Sequence, residues 1–218
     1  MRGIGSITDM LVFALVLSVA APLLFSAPGE PATGNARYAA SFSQSLLLTI
    51  QNSTADQFGG LEYNLGAFGL DLPSIGGTTT KSLRYKTLAG LLAEDALLNL
   101  RVEVAGENIQ IFRMNEDLDE KLGVFLKSAL NEIVGGRFGY RLRACTKPID
   151  LGTARLHFET TVENLAGGGR QVWSETAIVP LPVSGSELVS RVENALDLGP
   201  LGIYADPTLE ITLELWSI

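Results

Sequence analysis

Residues 10–27 form an uncharged apolar run, and this run constrains the chain more than any other feature. It reads MLVFALVLSVAAPLLFSA. At about 1.5 Å per residue, a helix of these eighteen residues is roughly 27 Å long, close to the hydrocarbon thickness of a bilayer. The rest of the chain is mixed and mostly amphipathic. The sequence therefore predicts a transmembrane or signal-anchor helix at 1–27, a linker containing Pro and Gly at 28–35 and an extracytoplasmic domain at 36–218.

The apolar run has two interpretations, a cleaved secretory signal or a retained anchor. A cleaved signal has a shorter apolar region that ends in small residues at the cleavage site. Here Pro22 and Pro28 directly follow the best small-residue positions, and proline after the scissile bond is a poor substrate geometry. We therefore favour a retained anchor. Arg2 places the short amino-terminal side in the cytoplasm, because basic residues stay on that side of a membrane.

The extreme amino terminus also resembles a family. Arg2 and Gly3, a short polar spacer and then a long apolar helix are similar to the class III signal of archaeal type IV pilin-like proteins. The resemblance covers about the first thirty residues. It implies that a prepilin peptidase cuts after Gly3, that the mature chain begins at Ile4, and that the apolar helix packs in a filament core. Many pilins carry an acidic residue at the fifth mature position, whereas this chain has Thr8 there and Asp9 next.

Beyond the linker, four segments have the apolar spacing of amphipathic helices. In 36–54 the apolar positions include Ala39, Phe42, Leu46 and Ile50, and the segment 46–50 taken alone would also fit a strand. The other three predicted helices are 82–98, with Ser82 as the amino-terminal cap, 116–134, with Asn115 as the cap and glycines at its end, and 184–196.

Strand patterns lie between these helices. Residues 99–104 and 109–111 form a predicted hairpin, 153–164 and 170–179 a second one, and 137–146 and 208–216 single strands with alternating apolar residues. Helices and strands interleave without a regular strand–helix–strand repeat. The predicted fold class is therefore α+β, an antiparallel sheet with amphipathic helices on one face and water on the other.

Composition and single residues exclude several functions. The net charge is −8 and the basic residues are scattered, which argues against nucleic acid as a partner. His157 and Cys145 are the only residues of their types, and neither has a neighbour at metal-ligand spacing. We expect a surface histidine and a small strand residue, so no catalytic residue, cofactor or metal is predicted, and the domain should fold without metal.

Three arginines form the most distinctive charge pattern. Arg137, Arg141 and Arg143 share one face of a predicted strand. One interpretation is cross-strand pairing with Glu210 and Glu214 on the wet face of the sheet. The other is a contact patch for an acidic neighbouring subunit.

The function predicted from the sequence is that of a membrane-anchored, extracytoplasmic structural or assembly protein. Its partners would be membrane lipid, through the amino-terminal helix, and other protein subunits or copies of itself. An anchored binding module or accessory subunit of a membrane complex is the alternative. An exported hydrolase is less favoured, because no nucleophile–base pair is visible. Asn52 begins the triplet Asn-Ser-Thr, a candidate N-glycosylation site if the domain is exported.

Overall fold

The structure, a computed structural model, describes residues 31–64, 80–104, 106–152, 154–165 and 169–218. It confirms the α+β class, with helices packed against an antiparallel sheet. The predicted membrane helix at 1–27 lies outside the described residues, together with Arg2, Gly3 and Ile4 of the predicted processing site. Within the described part of the chain, no helix has both the length and the apolar character needed to cross a bilayer.

The described residues contain four α-helices, which are separated by strands along the chain. They are α1 (Pro31–Asn52), α2 (Leu88–Leu98), α3 (Glu116–Val134) and α4 (Gly185–Leu196), and a short 3-10 helix spans Ala55–Phe58. The predicted bounds of α3 are confirmed. The Asn115 side chain accepts the Leu118 N–H at 3.0 Å, and Gly135 ends the helix with a φ of 62°, a left-handed conformation that glycine adopts without steric cost.

In the described part of the chain, nine strands form two sheets. Their bounds are β1 (Glu62–Asn64), β2 (Thr80–Ser82), β3 (Asn99–Val104), β4 (Glu107–Arg113), β5 (Gly139–Thr146), β6 (Ile149–Asp150), β7 (Arg155–Asn164), β8 (Gln171–Pro180) and β9 (Thr208–Trp216). The main sheet has the order β4-β3-β7-β5-β9-β8, with β6 also paired to β7. Every pairing is antiparallel, and β1 and β2 form a separate small sheet.

The interior strand β9, next to the edge strand β8, shows how the sheet is layered. Its alternating residues Leu209, Ile211, Leu213 and Leu215 are fully buried, and the residues between them are partly exposed. Tyr140, Leu142 and Ala144 of β5 lie opposite these leucines and isoleucine and are buried too. One face of the sheet therefore meets the helices and the other is wetter, as predicted.

Helix α1 begins earlier than expected. It starts at Pro31, so residues 31–35 are helical and do not belong to the predicted linker at 28–35. Proline is tolerated in a first helical turn, because its missing N–H would have no partner there. The predicted apolar stripe is confirmed, since Phe42, Leu46 and Ile50 are buried. The helix packs on β8, β9 and α2.

The second predicted hairpin, 153–164 with 170–179, is wrong. β7 and β8 are both present, but β5 and β9 lie between them in the sheet. Three strand spacings of about 4.8 Å separate β7 from β8, about 14 Å in all, and the seven residue steps from Asn164 to Gln171 can reach about 23 Å. The connection is therefore long enough to cross the end of the sheet. The turn-like sequence between the two strands did not determine that they pair with each other.

The predicted start of α2 is also wrong. Ser82 ends β2, and the helix is capped by Thr87, whose side chain accepts the Gly90 N–H at 3.0 Å. Leu83 comes before the helix and is buried. Both Ser and Thr are good caps, and the position of the turn between them decided which one is used.

Candidate functional site

The strands β3 and β7 separate part of the way along β7, and a polar cleft lies where they separate. β3 pairs with β7 over residues 100–103 and 155–158, whereas β7 continues to Asn164 along β5. Where β3 leaves β7, side chains from α2, α3 and the β3–β4 hairpin line a cleft of about 380 Å³ that we call the β3–β7 cleft. Its polar residues include Asp95, Asn99, Arg101, Gln110, Asp119 and Glu159.

Asp95 is the buried acid of the β3–β7 cleft. The Thr160 hydroxyl donates a hydrogen bond of 2.6 Å to Asp95 Oδ2. The other oxygen, Oδ1, is buried and has no hydrogen-bond partner among the described residues. Burial raises the pKa of Asp95 to about 7, the Thr160 hydrogen bond opposes this, and the nearby Asp119 carboxylate adds to it. This carboxyl therefore titrates near neutral pH, which is common at functional sites.

A hydrogen-bond network connects three other polar side chains of the cleft, Asn99, Gln110 and Asp119. The Asn99 amide donates to the Asp95 carbonyl oxygen at 3.1 Å and to the Asp119 carboxylate. Gln110 donates to Asn99 Oδ1 at 3.0 Å, and Arg113 Nε lies 3.2 Å from Asp119 Oδ2. These contacts connect α2, α3 and the hairpin, so the polar side chains of the cleft hold one another in position.

A second cluster lies on the wet face of the sheet, next to the cleft. Cys145 of β5 is the register partner of Glu159 of β7, and His157 lies two residues earlier on the same face. One ligand atom from each of the three residues lies within 4.8 Å of the other two. His157 Nε2 is 3.2 Å from Glu159 Oε2. We call these three residues the Cys–His–Glu cluster.

The charges in this cluster are well defined. Burial alone would raise the pKa of Glu159, but hydrogen bonds from His157 and Arg143 outweigh it and lower the pKa to about 2. Burial raises the pKa of Cys145 to about 11, and its thiol donates to the Thr146 carbonyl oxygen at 3.2 Å. Glu159 is therefore a carboxylate at neutral pH and Cys145 a neutral thiol. A thiol nucleophile would need the opposite shift.

The expectation that His157 lies on the surface is wrong. Only 4% of the residue is exposed. β7 has a neighbouring strand on each side at this point. Arg101 of β3 pairs with His157, and Ile149 of β6 pairs with the adjacent Leu156. The imidazole ring is therefore shielded from water although it lies on the wet face. The contact of His157 and Cys145 with Glu159 was also missed, because cross-strand proximity leaves no spacing signal in the sequence.

The three predicted arginines do not form one group. Arg141 pairs with Glu163 at 2.9 Å and with Glu214 at 3.5 Å, which supports the cross-strand interpretation. Arg143 pairs with Glu159 at 2.5 Å and not with the predicted Glu210. Arg137, the third predicted contact residue, lies before the start of β5. It donates a hydrogen bond of 3.2 Å to the Tyr38 hydroxyl of α1.

Two other residues bear on the site. Asn52 is the last residue of α1, is exposed, and donates to the Leu48 carbonyl oxygen at 2.7 Å; its glycosylation stays a prediction. Asp95 was missed in the sequence, although a signal was present. It is an acid within the otherwise apolar helix LAGLLAEDALL, in which most residues are buried, and a buried acid in such a helix needs a partner or a function.

Comparison with known proteins identifies no relative of the chain. No family model, no curated protein and no solved structure matches it. Its function is therefore inferred from the geometry of the described residues and from the sequence.

Proposed function

We propose that the chain is a membrane-anchored, extracytoplasmic subunit that acts by pairing with copies of itself through the edge strand β4. The anchoring part rests on the apolar run at 10–27 and on its resemblance to the signals of archaeal pilin-like proteins. The pairing part rests on the structure of β4.

The observation that carries the proposal is the exposure of β4. All seven residues of this strand are exposed, and among the described residues β4 is the last strand on its side of the main sheet. An unprotected edge strand presents backbone N–H and C=O groups that can pair with another strand. Natural edges are often protected by Lys or Pro, and β4 has neither. It carries Ile109, Ile111 and Phe112 instead, all exposed. One protective feature is a bulge in β4 itself: consecutive Leu100 and Arg101 of β3 pair with Phe112 and Gln110, which leaves Ile111 as an extra residue.

The sequence of β4 is complementary to itself. Counted along the sequence, antiparallel pairing of two copies about Gln110 aligns Glu107 with Arg113 at both ends, Asn108 with Phe112, and Ile109 with Ile111. This alignment requires that the extra residue of β4, Ile111, adopts a regular strand conformation in the dimer. Opposite charges and apolar pairs across neighbouring strands are both favourable. A twofold contact of this kind uses the same surface on both partners. A second copy of the chain therefore fits this edge.

Helix α1, which follows the apolar run in the sequence, packs on the part of the main sheet that lies away from β4. It starts four residues beyond the end of the apolar run at residue 27 and packs on β8 and β9. β8 is the opposite edge of the main sheet from β4. A chain held in a membrane through α1 would keep β4 open to a neighbour, and anchoring in one membrane would raise the local concentration of both copies.

The contact is tested with the full chain in detergent by analytical ultracentrifugation. Ile109→Lys should convert a dimer into a monomer, because it places a charge at the apolar centre of the paired edges. Ile178→Lys is the matched control, since Ile178 is also an exposed isoleucine of an edge strand, β8. A wild-type monomer, or equal loss of the dimer in both variants, would contradict pairing at β4.

The anchor is tested separately by membrane extraction and by mass spectrometry of the mature amino terminus. Release of the chain should need detergent. A mature terminus at Ile4 supports pilin-like processing, and an intact Met1 supports a plain anchor. A soluble product that begins near residue 22 or 28 would overturn the anchored interpretation and leave the β4 contact to its own test.

A further inference from the structure

We propose that the Cys–His–Glu cluster is a binding site for one divalent transition-metal ion, of which zinc is the representative. Cys145, His157 and Glu159 would each supply one ligand atom. The site lies on the wet face of the main sheet, between β5 and β7. One side chain of β4 reaches it, because the Asn108 amide donates to Glu159 Oε2 at 3.3 Å.

The backbone register brings the three ligands together. Cys145 and Glu159 are directly opposed on β5 and β7, and His157 shares the face of Glu159. The three ligand atoms lie within 4.8 Å of one another. In a tetrahedral zinc site with bonds of about 2.0–2.3 Å, ligand atoms are roughly 3.3–3.8 Å apart. Small side-chain rotations would therefore close the site without movement of either strand.

His157 presents the ring nitrogen that would bind the metal. The residue is only 4% exposed, and its Nε2 faces the cluster, 3.2 Å from Glu159 Oε2. A buried imidazole nitrogen beside a thiol and a carboxylate is a suitable zinc ligand. The other ring nitrogen, Nδ1, lies on the opposite side of the ring and is not a ligand in this site.

The set of donors selects the kind of metal. A thiolate and an imidazole bind zinc and similar ions, whereas Mg²⁺ and Ca²⁺ require mostly oxygen ligands. As the metal–sulfur bond forms, the Cys145 proton leaves to solvent. The thiolate and the Glu159 carboxylate then balance the charge of a divalent ion. Three protein ligands leave the fourth tetrahedral position for water.

Arg143 is the charged group that occupies Glu159 Oε2 in place of a metal, and the neutral Asn108 amide donates to the same oxygen at 3.3 Å. Its guanidinium Nη2 lies 2.5 Å from Glu159 Oε2 and 4.0 Å from Cys145 Sγ. About half of its side chain, 48%, is exposed, so it can turn into solvent when a cation takes its place. Its positive charge still lowers the affinity for the metal. Removal of Arg143 should therefore strengthen metal binding, an effect that an unrelated structural role of the cluster would not produce.

The test is a titration of the full chain in detergent with Co²⁺, followed by displacement with Zn²⁺. One equivalent of Co²⁺ should give a thiolate-to-cobalt charge-transfer band, and Zn²⁺ should remove it. Cys145→Ser should abolish the band, and His157→Gln should weaken binding by at least about tenfold. Arg143→Gln should tighten binding on the order of tenfold. Thr161→Ala, an exposed position on the same face of β7, should leave the titration unchanged.

Circular dichroism of each variant shows that it is folded. Absence of the charge-transfer band in the wild-type chain would overturn the proposal, and so would an unchanged spectrum in folded Cys145→Ser. Since Arg143 is exposed, its variant remains informative even if the substitutions at Cys145 and His157 prevent folding. An affinity in Arg143→Gln that is equal to or weaker than wild type would also contradict the site.

Discussion

Strands β9 and β4 belong to the same sheet and both contain isoleucine, but their surroundings are opposite. β9 lies between β5 and β8, and Ile211 is fully buried against the helical layer. β4 is an edge strand, and Ile109 is 49% exposed. The same residue type in the same secondary structure therefore stabilises the fold at one place and is available for contact at the other. The difference lies in the number of neighbouring strands and helices.

The two isoleucines provide the largest expected effect. Ile211→Ala should lower the free energy of unfolding by roughly 2–5 kcal/mol, because it leaves a cavity in a packed core. Ile109→Ala should change it by no more than about 0.5 kcal/mol when the chain is dilute enough to be monomeric. Urea denaturation of both variants measures the difference. Equal losses of stability would mean that Ile109 is packed in the core and that β4 is not an exposed edge.

The β3–β7 cleft lies between these two regions and should depend on pH. The folded pKa of Asp95 is raised to about 7 from an ordinary value of 3.8. The folded state therefore keeps its proton while the unfolded state loses it, and stability falls as the pH rises from about 4 to about 7. Asp95→Asn removes this dependence. Its stability relative to wild type should improve by roughly 2–4 kcal/mol between pH 4 and pH 8.

Chemical denaturation at both pH values gives this comparison. Glu94→Gln, at the partly exposed neighbouring position of α2, controls for the loss of a charge in the same helix. Parallel profiles for wild type and Asp95→Asn would show that the buried carboxyl titrates at an ordinary pH, and that the cleft is more hydrated than the structure indicates.

The smallest effect is expected at the junction of β4 and α3. Asn115 follows this strand and caps the helix through the Leu118 N–H. Asn115→Ala should cost about 1 kcal/mol, the usual contribution of such a cap, whereas the exposed Glu132→Ala in the same helix should cost a few tenths. If thermal unfolding shows no difference between the two, the start of α3 is frayed and the adjoining end of β4 is less ordered than its centre.

The sequence predicted the elements whose signals are local. The bounds of α3 and of β9 were both predicted from periodicity, and the caps of α3 followed from Asn115 and Gly135. α1 was recognised by its apolar stripe, but its first residues were assigned to the linker, because Pro and Gly in 28–35 suggested a break. Helix propensity is a weak signal beside the packing of a whole helix on β8.

The features that were missed depend on contacts between distant residues. A turn-rich segment between two strands predicts a hairpin, but it does not determine whether β5 and β9 enter between them. The Cys–His–Glu cluster arises from the register of β5 on β7, and the burial of His157 from the strands on both sides of β7. Neither can be obtained without the strand order. Asp95 alone could have been recognised, as an acid in an apolar helix.

Hydrogen exchange of the β4 amides tests the central claim most directly, because the proposed contact is made by the backbone of this strand. The full chain is compared at concentrations above and below its dimer dissociation constant. We predict that amides of β4 become protected on association, while those of β8, at the opposite edge, exchange at the same rate in both conditions. Equal exchange of β4 in the two conditions, or protection confined to β8, would contradict assembly through β4.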